Sequence, residues 1–197
     1  SGRDLTGEIF GATLPETRLV IAAQQYDPKV GTPQVQIPGF AVVFHLRNPE
    51  DFQAVAEEAW QKAVGLITVT RGQRAEPGLL IDRAEHAGIR YSVAYNSLGK
   101  NEDKTHLASR FNYRPSLARV GEYLIVSSTD GLTNDLIDAI KDPSQAAKPL
   151  AGTNTVLAAD GVALASILHA DRAGLISQNM VEKGNTQEQA AGEVDFM

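Results

Sequence analysis

The chain of 197 residues contains no cysteine. This absence excludes disulfide bonds, thiolate metal sites and a cysteine nucleophile. It leaves the compartment open, because cytosolic proteins and exported bacterial proteins can both lack cysteine. Hydrophobic residues make up 43% of the chain, an ordinary share for a globular protein. A sizeable hydrophobic core can therefore form without covalent or metal cross-links.

Basic residues are fewer than acidic ones, at 18 against 24, which gives a net charge of -6. Lysine and arginine occur singly, so the chain lacks the basic stripe of a nucleic-acid binder and the basic cluster that adheres to anionic membranes. No apolar run approaches the roughly 20 residues of a membrane-spanning helix. Residues 1–17 lack the basic start and apolar stretch of a signal peptide.

Familiar catalytic motifs are also missing. The sequence has no Gly-x-Ser-x-Gly elbow, no Gly-x-Gly-x-x-Gly loop and no His-Glu-x-x-His pair. Four histidines are scattered, and no two have the i, i+4 spacing that places imidazoles on one helix face: His45, His86, His106 and His169. We therefore expect neither a metal nor a cofactor.

The first third of the chain alternates strand and helix signals. A β-branched run predicts a buried strand at 18–24, following the turn signal Leu14-Pro15-Glu16. Three prolines and a glycine make 26–38 an irregular arm, and a second strand follows at 39–46. Asn48-Pro49-Glu50-Asp51 then predicts the start of a helix that runs to about Val64.

The middle of the chain is rich in β-formers separated by turn signals. Ala87-Gly88 and Gly121-Glu122 are plausible hairpin turns, so the strands should pair antiparallel. Five strands are predicted here: 66–70, 79–85, 89–95, 116–120 and 123–127.

Three elements are predicted after residue 128: a helix at 131–141, a strand at 152–159 and a long helix at 161–184. Asp142-Pro143 ends the first helix and Gly184-Asn185 ends the long one. Thr186 and Gln189 fit the capping box of a further helix. That helix reaches Met197, which indicates that the chain continues in a longer protein.

These elements predict an α+β fold. Residues 1–150 should form a sheet domain of five to seven mostly antiparallel strands, with helices on one face starting near Pro49, Gly131 and Gly161. Residues 151–197 should form a strand and helical segment packed on that domain. Residues 39–44 and 121–126 are each a strand followed by a polar cap and a helix, which suggests a duplicated β-β-α unit.

Acid, base and hydroxyl groups gather in the loop at 101–106. His106, Glu102 and Asp103 are the candidates for acid–base catalysis there, provided that the loop folds over a cleft. A solvated surface loop explains the same composition.

An aromatic and arginine cluster is the feature most typical of a binding site: Phe111, Tyr113, Arg110, Arg114 and Tyr123. Alternation would place Phe111 and Tyr113 on one face of a strand and the arginines near the other edge. Such mixtures are common in protein interfaces. The alternative is a half-buried sheet face whose rim is covered by arginine stems.

Residues 114–128, with the pattern Arg-Pro-Ser-Leu-Ala-Arg-Val-Gly-Glu-Tyr-Leu-Ile-Val-Ser-Ser before a helix, resemble a segment of uncharacterised exported bacterial proteins. Residues 157–184 are similar to a second segment of those proteins. The resemblance covers about a third of the chain and implies an α+β domain of unknown function, exported to the periplasm or cell envelope. It transfers no functional residue.

Together these features predict a non-catalytic binding or scaffolding domain that contacts another envelope protein through its open sheet face or edge. One alternative is a hydrolase-like enzyme that works from the loop region 96–114. Another is a small-ligand carrier lined by the aromatic cluster. A deep polar pocket would favour the enzyme or carrier, whereas an exposed apolar patch would favour the interaction domain.

Overall fold

The computed structural model describes residues 7–8, 11–142, 144 and 158–196, and it contains one six-stranded antiparallel sheet. The strands lie in the order β1-β2-β6-β5-β4-β3. They are β1 (Thr13–Ala22), β2 (Gly39–Leu46), β3 (Leu79–His86), β4 (Ile89–Asn96), β5 (Ser116–Val120) and β6 (Tyr123–Ser127). The described helices are α1 (Pro49–Gly72), α2 (Asp130–Lys141), α3 (Gly161–Ala170), α4 (Arg172–Lys183) and α5 (Gln187–Asp195). The predicted α+β class and antiparallel sheet are confirmed.

Two tight hairpins set the register of β3 with β4 and of β5 with β6. Ala87 and Gly88 both have positive φ, at 49° and 79°, between β3 and β4. Gly121, at φ 57°, turns the chain between β5 and β6. These are the two predicted turns, and their short length forces each strand pair to run antiparallel.

Helix α1 is longer than predicted, and the expected strand at 66–70 is wrong. The β-branched run there forms the last turns of α1, which end at Gly72. Contacts with the sheet override the local β preference: Thr68 Oγ1 accepts the backbone N–H of Leu79, and Arg71 donates to Asn96 Oδ1 over 2.5 Å. Tertiary packing rather than propensity therefore decides the end of α1.

The helices do not all pack on one face of the sheet. Leu117 and Leu124 belong to the cluster around α1, whereas their neighbours Ala118 and Ile125 belong to the cluster around Ile137 of α2. Successive residues of a strand point to opposite faces, so α1 and α2 cover opposite sides. The segments interpreted as a duplicated unit contribute β2 and β6, which lie side by side and antiparallel.

Strand β1 starts earlier than predicted and is mostly exposed, so its interpretation as a buried strand is wrong. The supposed turn at Leu14-Pro15 lies inside it. Among the described strands, β2 alone pairs with β1, which therefore lies at the edge of this sheet, where a proline costs little.

The long helix predicted at 161–184 is two helices, α3 and α4, divided at Asp171. The Asp171 carboxylate lies close to the position that a Cβ of residue 174 would take. Gly184, at φ 69°, ends α4, and Thr186 with Gln189 forms the predicted capping box of α5. The strand predicted at 152–159 lies largely outside the described residues.

Candidate functional site

The aromatic and arginine cluster does not lie on a strand. Arg110 and Phe111 belong to a 3-10 helix at Ser109–Asn112, so the expected alternation between two strand faces is wrong. The Arg110 guanidinium pairs with Glu102 and lies 4.9 Å from the centre of the Phe111 ring.

Tyr123 lies at the opposite end of the sheet from the other members of this cluster. It starts β6 and stacks on His45, with ring centres 4.8 Å apart. Arg114 instead bonds through its backbone N–H to Ser128, just after the end of β6. The five predicted residues therefore do not form one site.

The acid–base candidates lie in an exposed loop. The side chains of His106 and Asp103 are 67% and 63% exposed, and their nearest atoms are 3.6 Å apart. Hydrogen bonds from Thr105 hold the Asp103 carboxylate and lower its pKa. Glu102 forms an ion pair with Arg110. This geometry supplies neither a desolvated acid nor a shared substrate position.

A cleft of about 480 Å³ lies between the irregular arm, the 3-10 helix and the start of α2. Phe111 and Arg114 line it, and so do Tyr26 and Asp27 of the arm and Asp130 of α2. The sequence analysis identified Phe111 and Arg114 as binding candidates, and the structure places both of them here.

Asn112 fixes the arm against the 3-10 helix. It is 1% exposed, and its Oδ1 accepts hydrogen bonds from the Tyr26 hydroxyl at 2.6 Å and the Ile37 N–H at 2.9 Å. Its Nδ2 donates to Val35 and Ser109 carbonyls at 2.8 and 3.0 Å. Burial raises the pKa of Tyr26 to about 12, with Asp171 adding to the effect. Tyr26 thus stays a proton donor, and this wall of the cleft is preformed.

Arg114 and Asp130 form the charged floor of the cleft. Arg114 Nε lies 3.0 and 2.9 Å from the two carboxylate oxygens of Asp130, and the guanidinium stacks 5.3 Å from the Tyr95 ring centre. Burial disfavours the charge of Arg114, but the hydrogen bonds and charge of Asp130 outweigh it and raise the pKa of Arg114. The floor therefore remains an ion pair.

A second feature is an exposed apolar patch on the α1 side of the sheet. Val42 of β2 lies opposite Leu19 of β1 on one side and opposite Val126 of β6 on the other. Beside them, Phe40 of β2 lies opposite Ile21 of β1. Exposed fractions are 69% for Leu19, 58% for Ile21, 46% for Phe40 and 37% for Val126, and Val42 is half-buried. We call these five side chains the β1–β2–β6 patch.

The patch adjoins an open backbone edge. Phe40 and Leu46 direct their backbone groups toward the β6 side, to Ser128 and Glu122. Backbone direction alternates along an antiparallel strand, so the odd-numbered residues of β2 bond to Arg18 and Val20 of β1. The N–H and C=O groups of the alternate β1 residues, Thr17, Leu19 and Ile21, consequently point away from the sheet.

Sequence reasoning missed both the patch and most of the cleft. The β-branched run 19–21 was the available signal for the patch, but it reads equally well as a buried strand. The cleft joins residues more than 80 positions apart, such as Tyr26 and Asn112, which no local pattern reveals.

Within the described parts of the chain, no helix is long and apolar enough to cross a bilayer. The same residues contain no group of three or more histidine, aspartate or glutamate side chains placed to hold a metal ion. No protein-family model matches this chain, and no curated protein or solved structure is significantly similar to it.

Proposed function

We propose that this chain is a non-catalytic binding domain, and that its partner adds an extended strand to the outer edge of β1, with which no described strand pairs. The observation that supports this most directly is the coincidence of the β1–β2–β6 patch with the outward backbone groups of Thr17, Leu19 and Ile21. Strand addition uses main-chain hydrogen bonds for affinity and alternate side chains for specificity.

The chemistry of the partner segment follows from this edge. One half of its side chains would extend the apolar row of Leu19, Val42 and Val126, so every second residue should be apolar. Pro15 has no N–H to offer, and Glu16 and Arg18 form a 2.6 Å ion pair beside it. These residues discourage pairing along the first half of β1, which leaves Thr17–Ala22 for the partner.

The resemblance to exported bacterial proteins is the support for placing this partner in the periplasm or cell envelope. The exposure of His106 and Asp103 gives the hydrolase-like alternative no comparable support.

Site-specific photo-cross-linking in cells of the source organism tests the proposal. A benzophenone residue in place of Phe40 should give one discrete adduct with another protein. The same residue at Val181, which is 86% exposed on α4, is the matched control and should give none.

Leu19→Pro removes one outward N–H without removing a bond to β2, so the chain should fold while the adduct from position 40 disappears. Circular dichroism and urea unfolding check that the variant is folded. An adduct of equal strength from position 181, or one that survives Leu19→Pro in the folded variant, contradicts strand addition at β1.

A further inference from the structure

Strand β3 is the other outer strand of the described sheet, and no described strand pairs with its outer side. Thr68 Oγ1 accepts the N–H of Leu79 at 3.2 Å, and Asp82 Oδ1 accepts the N–H of Arg83 at 2.7 Å. Both N–H groups point away from β4, and so do those of the other odd-numbered residues, because backbone direction alternates along an antiparallel strand. Helix α1 covers this edge at its first residue, and the strand is exposed from Leu80 to Arg83 and again at Glu85.

The second half of β3 carries charges in a symmetric order about Ala84. An acidic and a basic residue flank it on each side: Asp82 and Arg83 before it, Glu85 and His86 after it. Arg83 pairs with Glu57 of α1, so residues 83 and 85 lie on the α1 face of the sheet. Residues 82, 84 and 86 lie on the α2 face, where His86 bonds to Asp138 of α2.

A two-fold axis through Ala84 turns this order into pairs of opposite charge. When two β3 strands pair antiparallel about that axis, Arg83 lies opposite Glu85 of the second copy, and Asp82 lies opposite His86 of the second copy. The axis repeats both pairs, which gives four in all, two on each face. Opposite charges that lie directly across a strand pair stabilise it. This edge is therefore complementary to itself.

The neighbouring registers lack this complementarity. An axis at any of the adjacent charged residues places that residue directly opposite its own copy, and like charges there are destabilising: Asp82, Arg83 or Glu85. At Ala84 the backbone groups point toward β4, so the two alanines would form a pair without mutual hydrogen bonds, with Cα atoms about 4.5 Å apart. A small side chain suits that close approach. Charge and side-chain size thus favour the same register.

We propose that a second copy of this chain pairs with the outer edge of β3, antiparallel and centred on Ala84, so that one sheet continues through both copies. Arg83 and Glu85 exchange main-chain hydrogen bonds with the second copy, and Asp82 releases the N–H of Arg83 as it turns to His86 of the second copy. One short edge buries little surface, so the dimer is weak and reversible. Strand β1 lies at the opposite edge of the described sheet and takes no part.

Disulfide trapping tests the register, because the chain has no cysteine of its own. Ala84→Cys places two thiols opposite each other, at a Cα separation within the usual range for a disulfide. In a glutathione redox buffer this variant should form a covalent dimer rapidly. Leu80→Cys is the matched control on the same face, at a side chain that is 48% exposed. Its two thiols would lie about 26 Å apart in this register, so it should cross-link much more slowly.

Charge reversal tests the pairing of Arg83 with Glu85. Arg83→Glu and Glu85→Arg each convert two opposite-charge pairs into like-charge pairs, so each variant alone should dimerise about tenfold more weakly than the native chain. An equimolar mixture of the two should associate as well as the native chain, because the arginines of one variant face the glutamates of the other. Glu182→Arg, at an exposed site on α4, is the control and should have no effect.

Sedimentation velocity of the full chain measures these dissociation constants, and circular dichroism checks that each variant is folded. Native association should weaken as salt is added. The proposal is overturned if the native chain stays monomeric at millimolar concentration, if Leu80→Cys cross-links as fast as Ala84→Cys, or if the mixed variants associate no better than each alone. None of these results changes the adduct expected from position 40, so failure here is distinguishable from failure of strand addition at β1.

Discussion

The two faces of the sheet are covered to very different extents. Helix α2 has 12 residues and covers the centre of its face: Ile137 is fully buried against Val43 and Ile125, and His86 reaches Asp138 at 2.8 Å. Helix α1 has 24 residues, yet it leaves the β1–β2–β6 patch uncovered. The longer helix thus protects its face less completely.

The direction of α1 explains this difference. Its anchors run from Glu50, paired with Arg119 of β5, to Arg71, bonded to Asn96 of β4. Midway, Glu57 pairs with Arg83 of β3. The helix therefore leads away from β1, and its last turns expose Leu66, Ile67 and Val69. Coverage of a sheet face depends on the path of a helix more than on its length.

The largest expected effect is in the core beneath α2. Ile137→Ala should lower the free energy of unfolding by about 3 kcal/mol, because it leaves a cavity in a core where Ile137 is 0% exposed. Urea unfolding measures this change. A loss below about 1 kcal/mol would show that α2 is not firmly packed, and the contrast between the two faces would fail.

A buried hydroxyl pair should contribute the next largest effect. Ser116 Oγ and Thr133 Oγ1 lie 2.6 Å apart and join β5 to α2. Thr133→Val keeps the shape but removes this partner of Ser116, and it should cost about 1–2 kcal/mol.

Together, Ser116→Ala and Thr133→Val should cost less than the sum of the two single changes, because each single change already removes the interaction between the two hydroxyls. A double-mutant cycle by urea unfolding measures this coupling. Strict additivity would mean that the two hydroxyls do not interact in solution.

A smaller effect is expected at the half-covered face. Arg83 lowers the pKa of Glu57 in the folded protein from its usual value of 4.5. A lowered pKa stabilises the fold above the unfolded value, and this stabilisation is lost as the pH falls through the folded value. Glu57→Gln should therefore lower stability at pH 7, by less than about 1 kcal/mol because the pair is solvent-screened.

Urea unfolding of the native chain and Glu57→Gln at pH 7, 5 and 3 tests this pH dependence. The difference in stability should be present at pH 7 and shrink toward pH 3. A difference that grows on acidification would contradict the pairing of Glu57 with Arg83.

The smallest effect is expected in the β1–β2–β6 patch. Leu19→Ala removes a side chain that is 69% exposed, so the free energy of unfolding should change by less than about 0.5 kcal/mol. A loss comparable with that of Ile137→Ala would show that the patch is buried in solution and would remove the basis for the proposed strand addition.

The fold was more predictable than the site. The hairpins at Ala87-Gly88 and Gly121-Glu122, the end of α4 at Gly184 and the capping box of α5 depend on local chemistry, and each prediction was confirmed. The predicted strand at 66–70 failed because its β-branched residues satisfy either a strand or a helix until the contacts with β3 and β4 are made.

The candidate site was predictable only in fragments. Two of the predicted binding residues, Phe111 and Arg114, line the cleft. Tyr123 lies at the other end of β6, and Arg110, in the 3-10 helix, is not among the residues that line the cleft. The predicted acid–base loop carries its residues on the surface. The cleft forms where segments far apart in the sequence contact each other, and spacing along the chain does not show which distant segments are in contact.

The sequence by itself determined the antiparallel hairpins and the capping box of α5, because these follow from interactions between near neighbours, and its composition excludes thiol chemistry. Only the tertiary structure decided which helix covers which face, which strand lies at the edge and which carboxylates share a cleft. Those outcomes depend on packing between segments far apart in sequence. The direction of α1 sets the exposed patch, and the contacts of Asn112 set the cleft.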